Sequence, residues 1–258
     1  MQRRMSDPIK NRSRKTGRFP SGYVSLNRAL SKLGVASRKV AQAAILAGDV
    51  QVDGTTILDP EWAVIPEKSN IIFRGVAVTQ QKTRVILFHK PRRVMTTRDD
   101  PENRPTVFSF FDNELPGFHA VGRLDYHTSG LLLFTNDTQL SNRLLDPANQ
   151  IPRCYVAEVR GWVDEADKVL FVQGVVEDGE HLMASEVNVL KHSHRESRLM
   201  IELRGGKNRE VRRLCRALNH EVIRLKRISF GHFQLGSLAA GEFRDATREE
   251  LAHDCQPR

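Results

Sequence analysis

The chain has 258 residues, 40% of them hydrophobic, and a formal net charge of +9 with a pI near 9.8. That composition supports a real core in one large domain, or in a large and a small one, and excludes a wholly disordered chain. Such an excess of Lys and Arg points to a polyanionic partner, nucleic acid first and an anionic membrane surface second. No run of 18 or more apolar residues offers a spanning helix.

Residues 1–22 carry seven Lys/Arg and a single acid, with few apolar residues. They read as a disordered basic arm. The stretch lacks the apolar core of a signal peptide. Cys154, Cys215 and Cys255 are widely spaced, with no C-x-x-C pair. This argues against a disulfide framework or a zinc site and fits a reducing cytoplasm.

The next segment, 23–81, reads as a compact unit. In "VSLNRALSKLG", Leu26, Ala29, Leu30 and Leu33 recur at helical spacing, with Ser25 as N-cap and Gly34 as stop. In "ASRKVAQAAILAGDV", Ser37 caps a second helix, Val40, Ala43, Ala44 and Ala47 are expected to face inward, and Gly48 ends it. Asp53-Gly54, between short alternating runs, predicts a hairpin. The polar face collects Arg28, Lys32, Arg38 and Lys39.

The pattern changes near residue 82. "RVILFHKP" reads as a strand. "GRLDYHTSGLLLFTND", ending at Asp137, sets a carboxylate, Asp125, just before the apolar run Leu131 to Phe134. "YVAEVRGWV" and "SRLMIELRGG" are strands, and "NREVRRLCRALNH" is a helix with Val211, Leu214, Cys215 and Leu218 on one face. Without βαβ regularity, the order predicts an α+β domain over 82–248, with helices flanking a mixed, largely antiparallel sheet. Residues 249–258 read as a tail.

Two resemblances add to this reading. "ASRKVAQAAILAGDVQVDG" resembles the S4 domain, a small RNA-binding module, over residues 24–80. "GRLDYHTSGLLLFTND" closely resembles the signature around the catalytic aspartate of pseudouridine synthases, in the subfamily that modifies ribosomal RNA and often carries an N-terminal S4 domain. The resemblance implies a reaction without cofactor or metal. Uracil leaves C1′ of its ribose, turns and rejoins through C5, with one essential aspartate, here Asp125, as nucleophile or base. "RCYVAEV" matches a second motif at Tyr155, whose ring would stack on a flipped uracil. "LRGGKNREVRRLC" matches a third. It places Arg212 where the family keeps a basic residue paired with the aspartate, and Leu203 where an apolar residue packs near the base.

Arg123 ranks second as ion-pair partner. Expected RNA contacts are Arg28, Lys32, Ser37, Arg38 and Lys39 in the first unit, and Lys90, Arg123, Lys207, Arg209, Arg213 and Arg216 in the second. His127 reads as a surface or RNA-facing residue, since no third ligand accompanies a D-x-H pair. Two departures stand out: "HKPRR" carries His89 and Arg93 where the family has Asn and Gly, and Ser129 stands where many relatives have Glu.

The expected partner is ribosomal RNA, large-subunit before small-subunit or transfer RNA, free or in a pre-ribosomal particle. The expected protein is a monomer with no membrane contact. Two alternatives share the composition: a non-catalytic RNA-binding ribosome-assembly factor, and a basic scaffold for any polyanion.

Overall fold

The computed structural model describes residues 19–20, 22–66, 68–79, 82–111, 115 and 117–252. The basic arm therefore lies almost wholly outside the described residues, as do Cys255 and most of the tail. The chain divides into two compact units, one ending at Lys82 and the other starting at Thr83.

In the first unit, β1 (Val24–Ser25) leads into α1 (Leu26–Lys32), then α2 (Arg38–Leu46). Strands β2 (Val50–Val52), β3 (Thr55–Thr56), β4 (Ala63–Val64), β5 (Ile71–Phe73) and β6 (Val76–Ala77) follow. The order β3-β2-β5-β6 makes an antiparallel sheet, while β1 pairs with β4. Asp53 and Gly54, at φ 50° and 81°, form the β2–β3 turn, in the left-handed geometry that Asp-Gly favours. Leu26, Ala29, Leu30 and Leu33 are buried as their spacing requires.

The second helix turns a different face inward. Ala41, Ala44 and Ile45 are buried, while Val40 is 45% exposed and Ala43 and Ala47 are exposed. The stripe 41–44–45 puts two small residues and one bulky Ile against Leu26 and Leu30 in the same core. Ser37 Oγ accepts from Val40 N at 3.3 Å, so Ser37 is the helix cap.

The second unit is built on β7 (Val85–Lys90), β8 (His119–Val121), β9 (Thr128–Thr135), α3 (Thr138–Leu145), β10 (Arg153–Arg160) and α4 (Glu165–Gln173). There follow β11 (Val175–Glu177), β12 (Glu180–Leu182), β13 (Glu186–His192), β14 (Glu196–Leu203), α5 (Glu210–Ala217), β15 (Val222–Phe230), β16 (Phe233–Gln234), β17 (Phe243–Asp245) and α6 (Arg248–Ala252). The main sheet runs β13-β14-β10-β15-β9-β7-β17. Its pairings are antiparallel except β15 with β9, which is parallel.

The apolar run is explained by where β9 lies. Leu131 and Leu133 enter one core with Leu140, Leu144 and Phe230; Leu132 and Phe134 enter another with Phe88, Phe111 and Phe118. A strand buried on both faces reads as continuous apolar sequence rather than alternation. At its end, Thr135 Oγ1 donates to Arg84 O at 2.7 Å. Asp137 then caps α3 by accepting from Gln139 N and Leu140 N. The Thr-Asn-Asp tail of the signature is thus a strand-to-helix corner.

The parallel junction depends on one glycine. Gly130 lies opposite Arg227 at φ 109°, and a Cβ there would sit 2.1 Å from Arg227 O and 2.5 Å from Arg227 N. Only a residue without a side chain allows the two backbones this approach. Gly130→Ala is therefore expected to cost more than about 4 kcal/mol. Urea unfolding of the variant, or its failure to fold, checks this; a midpoint near wild type would show that the junction can give way.

Candidate active site

Asp125 sits in the loop between β8 and β9, and that loop is fastened through its backbone. Leu124 is buried among the phenylalanines. Thr96 Oγ1 donates to Leu124 O at 2.8 Å and accepts from Leu124 N at 3.3 Å. Thr128 N donates to Asp125 O at 3.0 Å, and Arg93 N to Tyr126 O at 2.6 Å. Lys90 Nζ donates to Pro91 O and Thr128 O at 2.9 Å and to Asp125 O at 3.2 Å.

Lys90 is therefore no phosphate contact. It is wholly buried at the end of β7, and its three protons each have a carbonyl. Burial lowers its pKa from 10.5 to about 8, against the opposing pull of the Asp125 carboxylate.

The Asp125 side chain is 44% exposed and opens on a cleft. The cleft gathers Arg123, Tyr155, Leu203, Lys207, Arg209 and Arg212 from separate parts of the chain. Tyr155 comes half-buried from β10, at an irregularity in its pairing with β15. Leu203 is buried at the end of β14. Arg209, at the start of α5 with φ 49°, brings Nε to 4.0 Å from Asp125 Oδ2.

The expected ion pair takes a different form. Among the described residues, the cation within 4.0 Å of Asp125 is Arg209, not Arg212. Arg212 instead donates to His127 O and Val222 O, each at 3.3 Å, and so ties α5 to the loop and to β15. Burial pulls its pKa down, and the Asp125 charge opposes that. Arg123 is exposed at the rim, and His127 is exposed with its ring edge-on to Tyr126.

Three basic residues of α5 and its approach are engaged within the protein. Arg213 is paired with Glu177 at 2.6 Å and also with Glu180, and Arg216 with Glu177. These carboxylates sit on the β11–β12 hairpin, so Arg213, largely buried, and Arg216, largely exposed, clamp that hairpin to α5. Lys207 Nζ donates to His181 O at the cleft wall.

Sequence reasoning missed the buried charges. Arg153 donates to Leu144 O, Ile151 O and Gly205 O and lies over Phe230. Glu210 accepts from Lys207 N at 3.2 Å, and burial raises its pKa. Arg227 was findable, because Leu225, Arg227 and Ser229 share the inward phase of β15.

The two departures at the start of the domain are also placed. His89 is buried, with Nδ1 2.7 Å from Leu238 O. Arg93 takes φ 62°, the left-handed region that glycine occupies freely.

A family model described as RNA pseudouridylate synthase matches residues 84–217, and the S4 domain model matches residues 24–67. The chain belongs to the RNA pseudouridylate synthase family. The synthase is 33% identical to ribosomal large subunit pseudouridine synthase B of Bacillus subtilis, over 88% of this chain and 93% of that one. It is 37% identical to the protein of that name in Escherichia coli O6:H1, over 81% and 74%, respectively. An RNA pseudouridine synthase of Aquifex aeolicus is 36% identical over 89% and 92%. A solved structure titled as a pseudouridylate synthase superposes with a TM-score of 0.62 at 26% identity, covering 90% of this chain and 99% of that one. The synthase is accordingly an isomerase with an S4 domain ahead of an α+β domain.

The depressed pKa of Lys90 makes a pH prediction. Between pH 8 and 10.5 the unfolded chain holds a proton on this amine that the folded chain has given up. Stability from this group therefore rises with pH through that window. The stability advantage of wild type over Lys90→Met should widen from pH 8 to 10.5, read by urea unfolding. A gap that stays flat would place Lys90 in an ordinary solvated environment.

Proposed function

We propose that this synthase converts one or a few uridines of large-subunit ribosomal RNA to pseudouridine, with Asp125 as its catalytic carboxylate. The observation that carries the proposal is the fastening of Asp125. Its backbone is held by Thr128 and Lys90, while its carboxylate faces a cleft shared with Tyr155, Leu203, Arg209 and Arg212. A carboxylate carried on a fastened backbone among cations suits a role as nucleophile at C1′ or as base. The names of the Bacillus and Escherichia relatives support the large-subunit choice.

In the reaction, the C1′–N1 bond breaks, the base turns within the cleft, and a C1′–C5 bond forms. C5 loses its proton and N1 gains one, so nothing is oxidised or consumed. Tyr155 stacks on the flipped base, which must leave its helix to reach the cleft. Leu203 packs against it. Arg209 and Arg212 hold the anionic site, and Arg123 at the rim meets phosphate.

Residues 23–81 act as the RNA-binding domain and 82–248 as the catalytic one. Arg28, Arg38 and Lys39 are exposed on the first unit. Arg38 and Lys39 crowd the first turn of α2 without an acid, an unfavourable place for cations beside the helix dipole that a phosphate would relieve. Lys32 joins this face. The proposed protein acts in the cytoplasm as a monomer, because one polypeptide carries all three motifs.

Ribosomal RNA tritiated at C5 of uridine tests the chemistry, because rejoining through C5 releases tritium to water. Wild type is expected to release it without added metal or nucleotide, and Asp125→Asn to release none. Equal release by both would remove Asp125 from the mechanism. No release from large- or small-subunit RNA, nor from precursor particles, would favour a non-catalytic assembly factor.

Affinity should fall steeply with salt. The paired change Arg38→Gln, Lys39→Gln is expected to flatten the plot of log affinity against log salt by about 0.7 for each phosphate that the variant leaves unneutralised. An unchanged slope would remove these side chains from the RNA interface.

A further inference from the structure

Two polar atoms beneath the cleft are buried and have no hydrogen-bond partner among the described residues: Thr128 Oγ1 and Arg227 Nη2. Their residues are 2% and 3% exposed, and both line the cleft with Asp125 and Tyr155. They belong to the two strands of the parallel junction, where Thr128 pairs with Leu225 and Gly130 with Arg227.

Arg227 is held in place. Its Nε donates to Leu131 O at 2.8 Å, and its guanidinium lies 5.0 Å over the Phe230 ring. Both contacts fix the plane, so Nη2 cannot turn to find a carbonyl elsewhere. The neighbouring buried cations do not share this state, since Lys90 and Arg153 each reach three carbonyls. A buried donor left unmet amid so complete a network marks a place kept for a ligand.

The register says which ligand group comes near. Tyr155 lies directly opposite Arg227 across β10 and β15. Paired residues of adjacent strands project to the same face with their Cβ atoms about 5 Å apart. A base stacked on Tyr155 is thereby carried to the level of the Arg227 guanidinium. Uracil offers two carbonyl oxygens and an imide N–H along one edge. A guanidinium N–H can donate to a carbonyl, and a threonine hydroxyl can donate to a carbonyl or accept from the imide.

We propose that Arg227 Nη2 and Thr128 Oγ1 bind the polar edge of the target uracil, and that Arg227 stabilises the base as it departs. When C1′–N1 breaks in the uracilate sense, the bonding pair passes into the ring and spreads over O2 and O4. A fixed cation already touching a carbonyl meets that charge without reorganising. Both atoms are closed to solvent in this conformation, so entry of the base opens the way to them. The inference rests on the proposed function.

The experiment uses the full chain and target RNA carrying C5-tritiated uridine, 2-thiouridine or 4-thiouridine at the modified position. Wild-type release from ordinary uridine is the control, which separates failure of the proposed function from failure of this inference. Arg227→Gln keeps an amide for Leu131 O and loses Nη2; it is expected to lower kcat/KM by about 100-fold. One thio substitution should slow wild type, because sulfur accepts poorly, and should add little further loss in Arg227→Gln. The same thio penalty in both proteins would overturn the contact. Thr128→Val loses no hydrogen bond within the protein, so its melting temperature should be no lower than wild type while kcat/KM falls by about tenfold. Unchanged kcat/KM in a folded Thr128→Val would overturn the role of the hydroxyl.

Discussion

The catalytic half of this chain depends on one close approach of backbones, the parallel pairing of β9 with β15 at Gly130. On one side of it stand β7 and β17, and on the other β10, β14 and β13. The signature loop enters β9 at this seam. Asp125 arrives from one half of the sheet, while Tyr155, Leu203 and the cations of α5 arrive from the other. A side chain at position 130 would push the halves apart and with them the two sets of groups. The cleft is thus a product of topology. No single segment contains it, and no single loop could rebuild it.

The seam also explains the distribution of charge. Lys90, Arg153 and Arg227 lie buried around it, where an unsolvated cation is costly. Lys90 and Arg153 are spent on carbonyls that fix backbone geometry, which converts their cost into rigidity. Lys90 reaches both Asp125 O and Thr128 O, so one ammonium holds the carboxylate loop and the start of β9 together. The Asp125 charge reaches both the Lys90 and Arg212 side chains, which feel it without an ion pair of 4.0 Å or less.

Much of this was legible in the sequence where the signal was local. Alternation marked β10, the "SRLMIELRGG" stretch marked β14, helical spacing marked α1 and α5, and Asp53-Gly54 marked a turn. The apolar run at Leu131–Phe134 announced a buried strand, though only the two cores showed why it does not alternate. The cleft members Asp125, Tyr155 and Leu203 were legible through motif resemblance and not through periodicity. What failed was non-local. Arg213 looks like part of an exposed basic face until Glu177 and Glu180 fold back on it from more than 30 residues away. Lys90 looks like a surface cation at a strand end until the loop at 125–128 closes over it. The face of α2 was misjudged because Val40 outranks Ala41 in hydrophobicity, whereas the close packing against α1 prefers small residues at 41 and 44.

Arg93 shows how the loop tolerates a local cost. A non-glycine residue in the left-handed region is disfavoured by about 1 kcal/mol, and the family pattern has glycine here. The position is nevertheless fixed by what its N–H does, since it donates to Tyr126 O at 2.6 Å beside Asp125. With Lys90 and Thr96 holding neighbouring carbonyls, the turn is over-determined, so the backbone keeps a shape that its side chain resists. Arg93 therefore raises the energy of a turn whose shape these hydrogen bonds hold. Strain at Arg93 and, across the cleft, an unmet donor at Arg227 both persist because better-satisfied neighbours hold them.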